Sequence, residues 1–344
     1  MNWESELSNL AQEAEASLVG ATRLTTPLTW SYYSEWLAQG FHADMRYMED
    51  HAPLKQDPKQ FRSDLNSAFV FAFDYVNHPK SHHPFPGSRT ALYAQGEDYH
   101  FWLKEKLNPL VQKLQQKFPN ESFYIHTDSG PVLERDLGYR AGLGWFGKNT
   151  CLISRKKGSL FLMGEIFTSL EVDLQASLVS DFCGTCQKCM EICPTQALKS
   201  PRVLDANLCI SYWTIESRKI PPTEVRKKMG DWLFGCDLCQ TVCPWNQKIY
   251  KSKLEISEKR SLSESDRENL IQDLKFILES SNRQILKKIE KTPLMRAGPK
   301  GLKRNALIVI GNQKLVELKN QVQQKITDDF LGPLAKEILI ELEN

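Results

Sequence analysis

No stretch of this 344-residue chain approaches the roughly 18–20 consecutive apolar residues that a membrane-spanning helix requires. Charge of one sign is also lacking in excess: 44 Lys and Arg against 42 Asp and Glu leave a net +2. That balance excludes a strongly polybasic chain but not a local basic patch, which is what a nucleic acid would meet. The opening MNWESELSNLAQEAEASL is acidic and amphipathic, which is not the pattern of a secretory signal. Cysteine is nearly absent except in one place, where eight of the nine lie between Cys183 and Cys243. A soluble, cytoplasmic chain long enough for about two or three domains is expected. Disulfides are not expected in that compartment.

The cysteine-rich stretch reads CGTCQKCMEICP and then CDLCQTVCP. Cys183, Cys186, Cys189 and Cys193 follow C-x2-C-x2-C-x3-C closed by Pro194, the bacterial ferredoxin run in which the fourth cysteine ligates the other cluster. Cys236, Cys239 and Cys243, followed by Pro244, repeat the last three positions, and Cys209 upstream is the candidate for the missing first. With crossed fourth ligands, one cluster takes Cys183, Cys186, Cys189 and Cys243. The other takes Cys193, Cys236, Cys239 and, by elimination, Cys209. Zinc sites also use paired C-x2-C hooks, but a triple run with C-x3-C-P at each end is typical of iron–sulfur binding. Cys151, in an apolar stretch, reads as a core residue.

Hydrophobic periodicity organises the rest. Leu7, Leu10, Ala11, Ala14 and Leu18 have helical spacing, as do Tyr33, Trp36 and Leu37. Asn66 to Tyr75 is a continuous apolar strand of the kind covered on both faces. After it, residues 77–100 form a long polar loop rich in Pro and His, of a length that is usually functional or disordered. A helix follows from Tyr99 to Phe118 with Leu103, Leu107, Leu110 and Leu114 on one face, then a strand from Phe123 to His126. VLERDLGYRAGLGWFGKN predicts a helix and a Gly-rich turn. Cys151–Ser154 and Leu160–Phe167 predict a hairpin across RKKGS. Beyond a polar connector (251–269), Leu270–Lys288, Leu302–Leu318 and the C-terminal DDFLGPLAKEILIELEN read as helices. The expected architecture is α+β in three parts: an α/β N-terminal domain over 1–175, a ferredoxin-like two-cluster module over 176–250, and a helical tail of HEAT-like, solenoid character over 251–344.

Clusters move electrons and do not choose a substrate, so the N-terminal domain must supply the chemistry. Gly142 to Gly147 loosely imitates a dinucleotide fingerprint, but it follows a helix instead of a strand and fails that context. A tight turn or a closely approached large cofactor suits it better. Asp128 directly follows a strand. It could donate a proton if burial raised its pKa, or it could cap the helix expected after Pro131. His100, at a helix start, could be a ligand, an acid or a hydrogen-bonded structural residue.

Taken together, VLERDLGYRAGLGWFGKN, the YAQGEDYH tract, CGTCQKCMEICPTQAL, CISYWTIE, GCDLCQTVCPWN and RNALIVIGN resemble the epoxyqueuosine reductase family over nearly the whole chain. That family comprises cobalamin-dependent iron–sulfur enzymes that reduce epoxyqueuosine to queuosine at the tRNA wobble position. The resemblance implies two 4Fe-4S clusters and a cobalamin in the N-terminal domain, with electrons from an external flavodoxin- or ferredoxin-like donor. It assigns the acid to Asp128, by the DSxPxLE tract, and cofactor contacts to Lys55, Asp128, Leu152, Met163, Ile166, Ser211 and Asp237. The D-x-H-x-x-G cobalamin signature is absent, so the residues alone would not have proposed that cofactor.

The tRNA partner, with queuosine-type anticodons, has support of its own. Lys287, Lys288, Lys291, Arg296, Lys300, Lys303 and Arg304 face a single acid, Glu290, and Arg218, Lys219, Arg226, Lys227 and Lys228 form a second basic group. Charge runs are usually solvated faces, but this one is concentrated and broken by Gly and Pro turns. Arg218, Lys219, Arg296, Lys300, Lys303 and Arg304 are the candidate tRNA contacts on a monomer without membrane attachment. The competing enzyme class is a reductive dehalogenase-like enzyme acting on a small organic halide, which leaves the basic tail without purpose. A third reading, an electron carrier fused to a binding domain, leaves Asp128 and the Gly-rich turn without work.

Overall fold

The structure is a computed structural model that describes residues 2–78, 83–172, 174, 177–254 and 262–343. Its N-terminal half is built on a four-stranded sheet of β1 (Leu18–Arg23), β2 (Ser67–Asp74), β3 (Phe123–His126) and β4 (Phe161–Thr168), in the order β1-β2-β4-β3. Every neighbouring pair is antiparallel. Seven of the eight β2 residues are buried, because the strand is covered on both faces. Phe69, Phe71, Phe73 and Ile166 pack beneath α1 (Trp3–Glu13) and α2 (Tyr99–Lys117). Ala68, Val70, Ala72 and Phe167 form the opposite layer with α3 (Glu134–Arg140). The leucine stripe expected on α2 is the face it buries.

The expected hairpin takes a different form. Leu152–Ile153 pairs with Trp145–Phe146, and a bridge between Ser154 and Gly158 closes the turn. The following strand enters the main sheet between β2 and β3, where both of its faces find apolar cover. The Gly-rich turn permits that small pairing. Gly142 has φ of 77°, and a Cβ on Gly144 would lie 2.2 Å from the Ile153 carbonyl oxygen.

Residues 79–82 of the polar loop, the expected boundary at 175–176 and residues 255–261 of the connector lie outside the described residues. What is described of the polar loop is anchored. Arg89–Thr90 pairs with Trp232–Phe234, and Arg89 is ion-paired to Asp231 at 3.0 Å with its guanidinium over the Trp232 ring.

The C-terminal helices are α4 (Glu264–Glu279), α5 (Asn282–Ile289), α6 (Gly298–Asn312) and α7 (Gly332–Glu343). Capping boxes at Ser263/Asp266 and Ser281/Gln284 start the first two, each satisfying orphan backbone donors. These helices share one apolar core with Ile210, Trp213, Val225, Leu233 and Phe234. The tail is therefore packed against the second half of the cysteine-rich segment. Among the described residues no helix is long and apolar enough to cross a membrane.

Candidate functional site

Asp128 lies two residues beyond β3 with φ of 52°, a left-handed conformation that is uncommon for a residue other than glycine. Its carboxylate accepts the Tyr99 hydroxyl at 2.5 Å and sits 3.6 Å from His100 Nε2. Both partners come from the first turn of α2. Asp98 caps that turn by accepting the His100 N–H and also holds His100 Nδ1 at 2.7 Å. Asp128 caps no helix, since α3 begins at Glu134 with Leu133 at its cap position.

Hydrogen bonds to Asp128 and Asp98 outweigh burial and raise the His100 pKa to about 9. For Asp128, burial pushes its pKa upward, but hydrogen bonds from His100 and Tyr99 prevail and hold it below the ordinary carboxylate value. At neutral pH the proton of this trio resides on His100.

Beneath the loop lies a second group of titratable residues. Register places His126 opposite Glu165 on β4, and His126 Nδ1 is 3.0 Å from Glu165 Oε2 and 3.3 Å from Glu134 Oε1. Glu134 Oε1 also accepts the Asp128 backbone N–H. Lys55 is buried beside them and donates to the Val132 carbonyl at 3.5 Å. Burial lowers its pKa, against the opposing charges of Glu134 and Asp128.

Sequence reasoning did not single out Tyr99, His126, Glu134 or Glu165 for the site. The available signal was a Glu in the apolar run LFLMGEIF, since a buried charge requires a partner.

Leu152 and Met163 meet at α3, where a Cβ on Gly138 would come within 2.7 Å of one and 2.8 Å of the other. Ile166 is a correction. Side chains alternate along a strand, so Ile166 points to the opposite face from Met163. It is fully buried with Leu103 and Leu107, and its side chain cannot share a cofactor wall with Met163.

The nine cysteines are free thiols. Burial raises Cys189 to about 11, and the adjacent thiols of Cys243, Cys183 and Cys186 add to the shift. The same pattern, burial first and then neighbouring thiols, gathers Cys236 with Cys209 and Cys193, and Cys239 with Cys236, Cys209 and Cys193. The chain thus brings together two groups of four thiols. Each suits a metal cluster, which binds thiolates and so offsets the penalty of burying them. Cys151 lies near both groups, with Cys243 and Cys189 on one side and Cys239 on the other. Ser211 donates to the Cys236 carbonyl at 3.5 Å. Asp237 is buried and accepts the Leu92 N–H at 2.5 Å.

Tyr93 connects the two regions. Burial raises its pKa, and the charges of Asp237 on one side and Asp128 on the other push the same way. Tyr93, Tyr99, Cys151, Cys209 and Cys239 are all partly accessible, although burial dominates each of their shifts. Tyr99 marks the Asp128 end of this stretch, and Cys209 and Cys239 mark its thiol end.

The basic candidates divide. Arg304 is a correction: it is 1% exposed, and its guanidinium donates to the carbonyls of Trp213, Ser217 and Lys219 and to Asn305. These contacts hold the turn at Tyr212–Glu216 and occupy its donors, although the side chain borders the cleft described below. Arg296 makes a bidentate pair with Glu216, Lys219 pairs with Asp44, and Arg218 donates to the Arg296 and Ala297 carbonyls. Lys303 reaches Asn282 at 3.2 Å, and Lys300 is exposed. Arg218, Arg296 and Lys300 line a cleft of about 460 Å³ with Gly298, Gly301 and Phe330.

The chain is similar to known proteins over most of its length. The family model described as epoxyqueuosine reductase QueG, DUF1730, matches residues 55–129, and that of a 4Fe-4S double cluster binding domain matches 182–246. An epoxyqueuosine reductase of Xanthomonas campestris is 33% identical over 313 residues, which cover 90% of this chain and 86% of that one. A solved selenomethionine-labelled epoxyqueuosine reductase superposes with a TM-score of 0.81 at 26% identity, over 99% of this chain and 90% of that one. A second, solved with an epoxyqueuosine-modified tRNA stem loop, shares the fold at TM-score 0.76 and 24% identity, over 99% of both chains.

Proposed function

The chain belongs to the epoxyqueuosine reductase family, and from that premise we propose that it reduces epoxyqueuosine at the tRNA wobble position to queuosine, with Asp128 delivering the proton. The observation that supports this reading is the placement of Tyr99 and His100 on the Asp128 carboxylate, with Tyr93 between Asp128 and the Asp237 that adjoins the second thiol group.

Removing the epoxide oxygen as water consumes two electrons and two protons. Two 4Fe-4S clusters on the two thiol groups, and a cobalamin near Asp128, would supply the electrons. The chain's own residues manage the protons. His100, protonated up to about pH 9, stores one beside Asp128, and the Asp128 carboxylate passes it to the departing oxygen. Tyr99 orients the acceptor oxygen and holds a second exchangeable proton within hydrogen-bond reach. Lys55, Leu152, Met163, Ser211 and Asp237 would contact the cofactor.

An external flavodoxin- or ferredoxin-like donor would enter at the outer thiol group, where Phe182, Gly184, Thr185 and Gln187 are exposed around Cys183 and Cys186. The tail from 251 onward, read as HEAT-like, would seat a tRNA anticodon arm along Arg218, Arg296 and Lys300. Flipping the wobble base toward Asp128 is the geometry that chemistry on a base requires. The protein is read as a cytoplasmic monomer with domains at 1–175, 176–250 and 251–344.

The test is anaerobic reconstitution with iron, sulfide and cobalamin, then reaction with an epoxyqueuosine-containing anticodon stem-loop and a competent reductant. Loss of one oxygen mass from the nucleoside is expected. Asp128→Asn should keep iron and cobalamin yet lose turnover. No conversion by the wild-type protein would sink the function, and full activity of the variant would remove Asp128 from the chemistry.

A further inference from the structure

The buried group of His126, Glu134 and Glu165 is not used by the chemistry above, yet it sits directly under the residue that is. His126 is 8% exposed, Glu165 is 0% exposed, and the imidazole stacks on Phe167. Burying a carboxylate inside a sheet is costly unless it gains a partner. Register provides one: His126 and Glu165 are directly opposed on β3 and β4. Glu134 then closes the arrangement from the first turn of α3 by contacting the same His126 nitrogen. The loop between them carries Asp128 and crosses the imidazole at Gly130. A Cβ there would lie 1.9 Å from His126 Nε2, so only glycine lets the backbone pass that close.

Glu134 therefore has two duties. One oxygen accepts the Asp128 backbone N–H and also faces His126. Residue 128 is held at a φ of 52°, a conformation that is unfavourable for a non-glycine residue unless surrounding contacts enforce it. Two contacts hold that backbone, the Ser129 N–H closing a tight turn onto the Thr127 carbonyl at 2.5 Å and Glu134 accepting the Asp128 N–H, while Tyr99 and His100 receive the side chain. We propose that Glu134, seated by His126 and Glu165, is a positioning residue that latches the 127–131 loop and so aims the Asp128 carboxylate at Tyr99 and His100. The three side chains also have a donor set that a divalent cation could use. His126 Nδ1 is already the shared point of both carboxylate contacts, however, so a cation would have to displace them.

The catalytic consequence rests on Asp128 being the acid, whereas the latch itself does not. Hydrogen exchange of the 127–133 segment, read by mass spectrometry on the anaerobic holoenzyme, reports the latch directly. Glu134→Ala should speed exchange there by tenfold or more. It should lower kcat by at least tenfold and leave KM for the stem-loop within about twofold. Glu134→Gln keeps an oxygen that can accept the Asp128 N–H, and should restore slow exchange and most of kcat. Iron content and thermal unfolding of both variants establish that the fold is retained.

Unchanged exchange in Glu134→Ala would overturn the latch, whatever the turnover. Failure of Glu134→Gln to slow exchange relative to Glu134→Ala would overturn it as well. Faster exchange with unaltered turnover would overturn the claim that the latch aims Asp128 for the reaction.

Discussion

Replacing Arg304 by alanine separates a structural role from an RNA-binding one. The side chain makes five hydrogen bonds: to the carbonyls of Ser217 (2.6 Å), Lys219 (2.8 Å) and Trp213, and two to Asn305 (2.8 and 3.0 Å). Burial lowers its pKa to about 10, so it is charged at neutral pH and is neutralised only by these dipoles. The truncation leaves two buried carbonyls and a partly buried one without a donor, at about 1–3 kcal/mol for each buried one. It also frees Asn305, which itself bonds the Thr214 and Leu233 carbonyls.

A loss of about 3–5 kcal/mol follows, the usual result of removing one partner from a buried charged contact. Against a typical total of about 5–15 kcal/mol, that should lower Tm by on the order of 10 °C. The turn it holds begins three residues after Cys209, so iron should be lost from the second thiol group first. Arg304→Lys should recover little, because an ammonium cannot reach several carbonyls as a planar fork does. The assays are anaerobic thermal unfolding, iron content and stem-loop titration. A variant with wild-type Tm and weakened stem-loop binding would refute the reasoning. Lys300→Ala is the opposite case, with Tm unchanged and the slope of log affinity against log salt reduced by about 1.

Two further expectations concern protons and clusters. The His100 pKa is raised from 6.5 to about 9. Its contribution to stability is therefore fully present below pH 6.5 and is lost as pH rises through about 9. Turnover should fall on the same alkaline limb, and His100→Gln should abolish that limb; an unshifted limb in the variant would exclude His100 as the proton store. For the clusters, Cys183→Ser with Cys243→Ser should lose no more iron than either change alone, because both thiols belong to one group. Cys183→Ser with Cys193→Ser should lose both clusters, and retention of one would show that the thiols are grouped differently.

Much of the framework was readable along the chain. The strand Phe123–His126 and the leucine face of the helix from Tyr99 depend on local periodicity, and they appear where that periodicity places them. The cysteine spacing likewise carries its chemistry locally, since a C-x2-C-x2-C-x3-C run presents thiols from one turn-rich segment. Other features were not readable, because they depend on what lies across a sheet or under a helix. Leu152 was assigned the wrong partner strand, as both Trp145–Phe146 and β4 were apolar enough to pair with it. The basic run 287–304 looked uniform, but packing of α6 against the turn at 212–216 buried Arg304 and left Lys300 in solvent.

Sequence alone placed eight cysteines at cluster-binding spacing and a carboxylate just past a strand end. Tertiary structure decided what that carboxylate can do. Register set Glu165 opposite His126 across 39 positions of chain, α3 returned Glu134 to the same nitrogen, and α2 brought Tyr99 and His100 to the Asp128 carboxylate. Periodicity reports which face of an element is buried. Only the packed sheet determines which charge that face must meet.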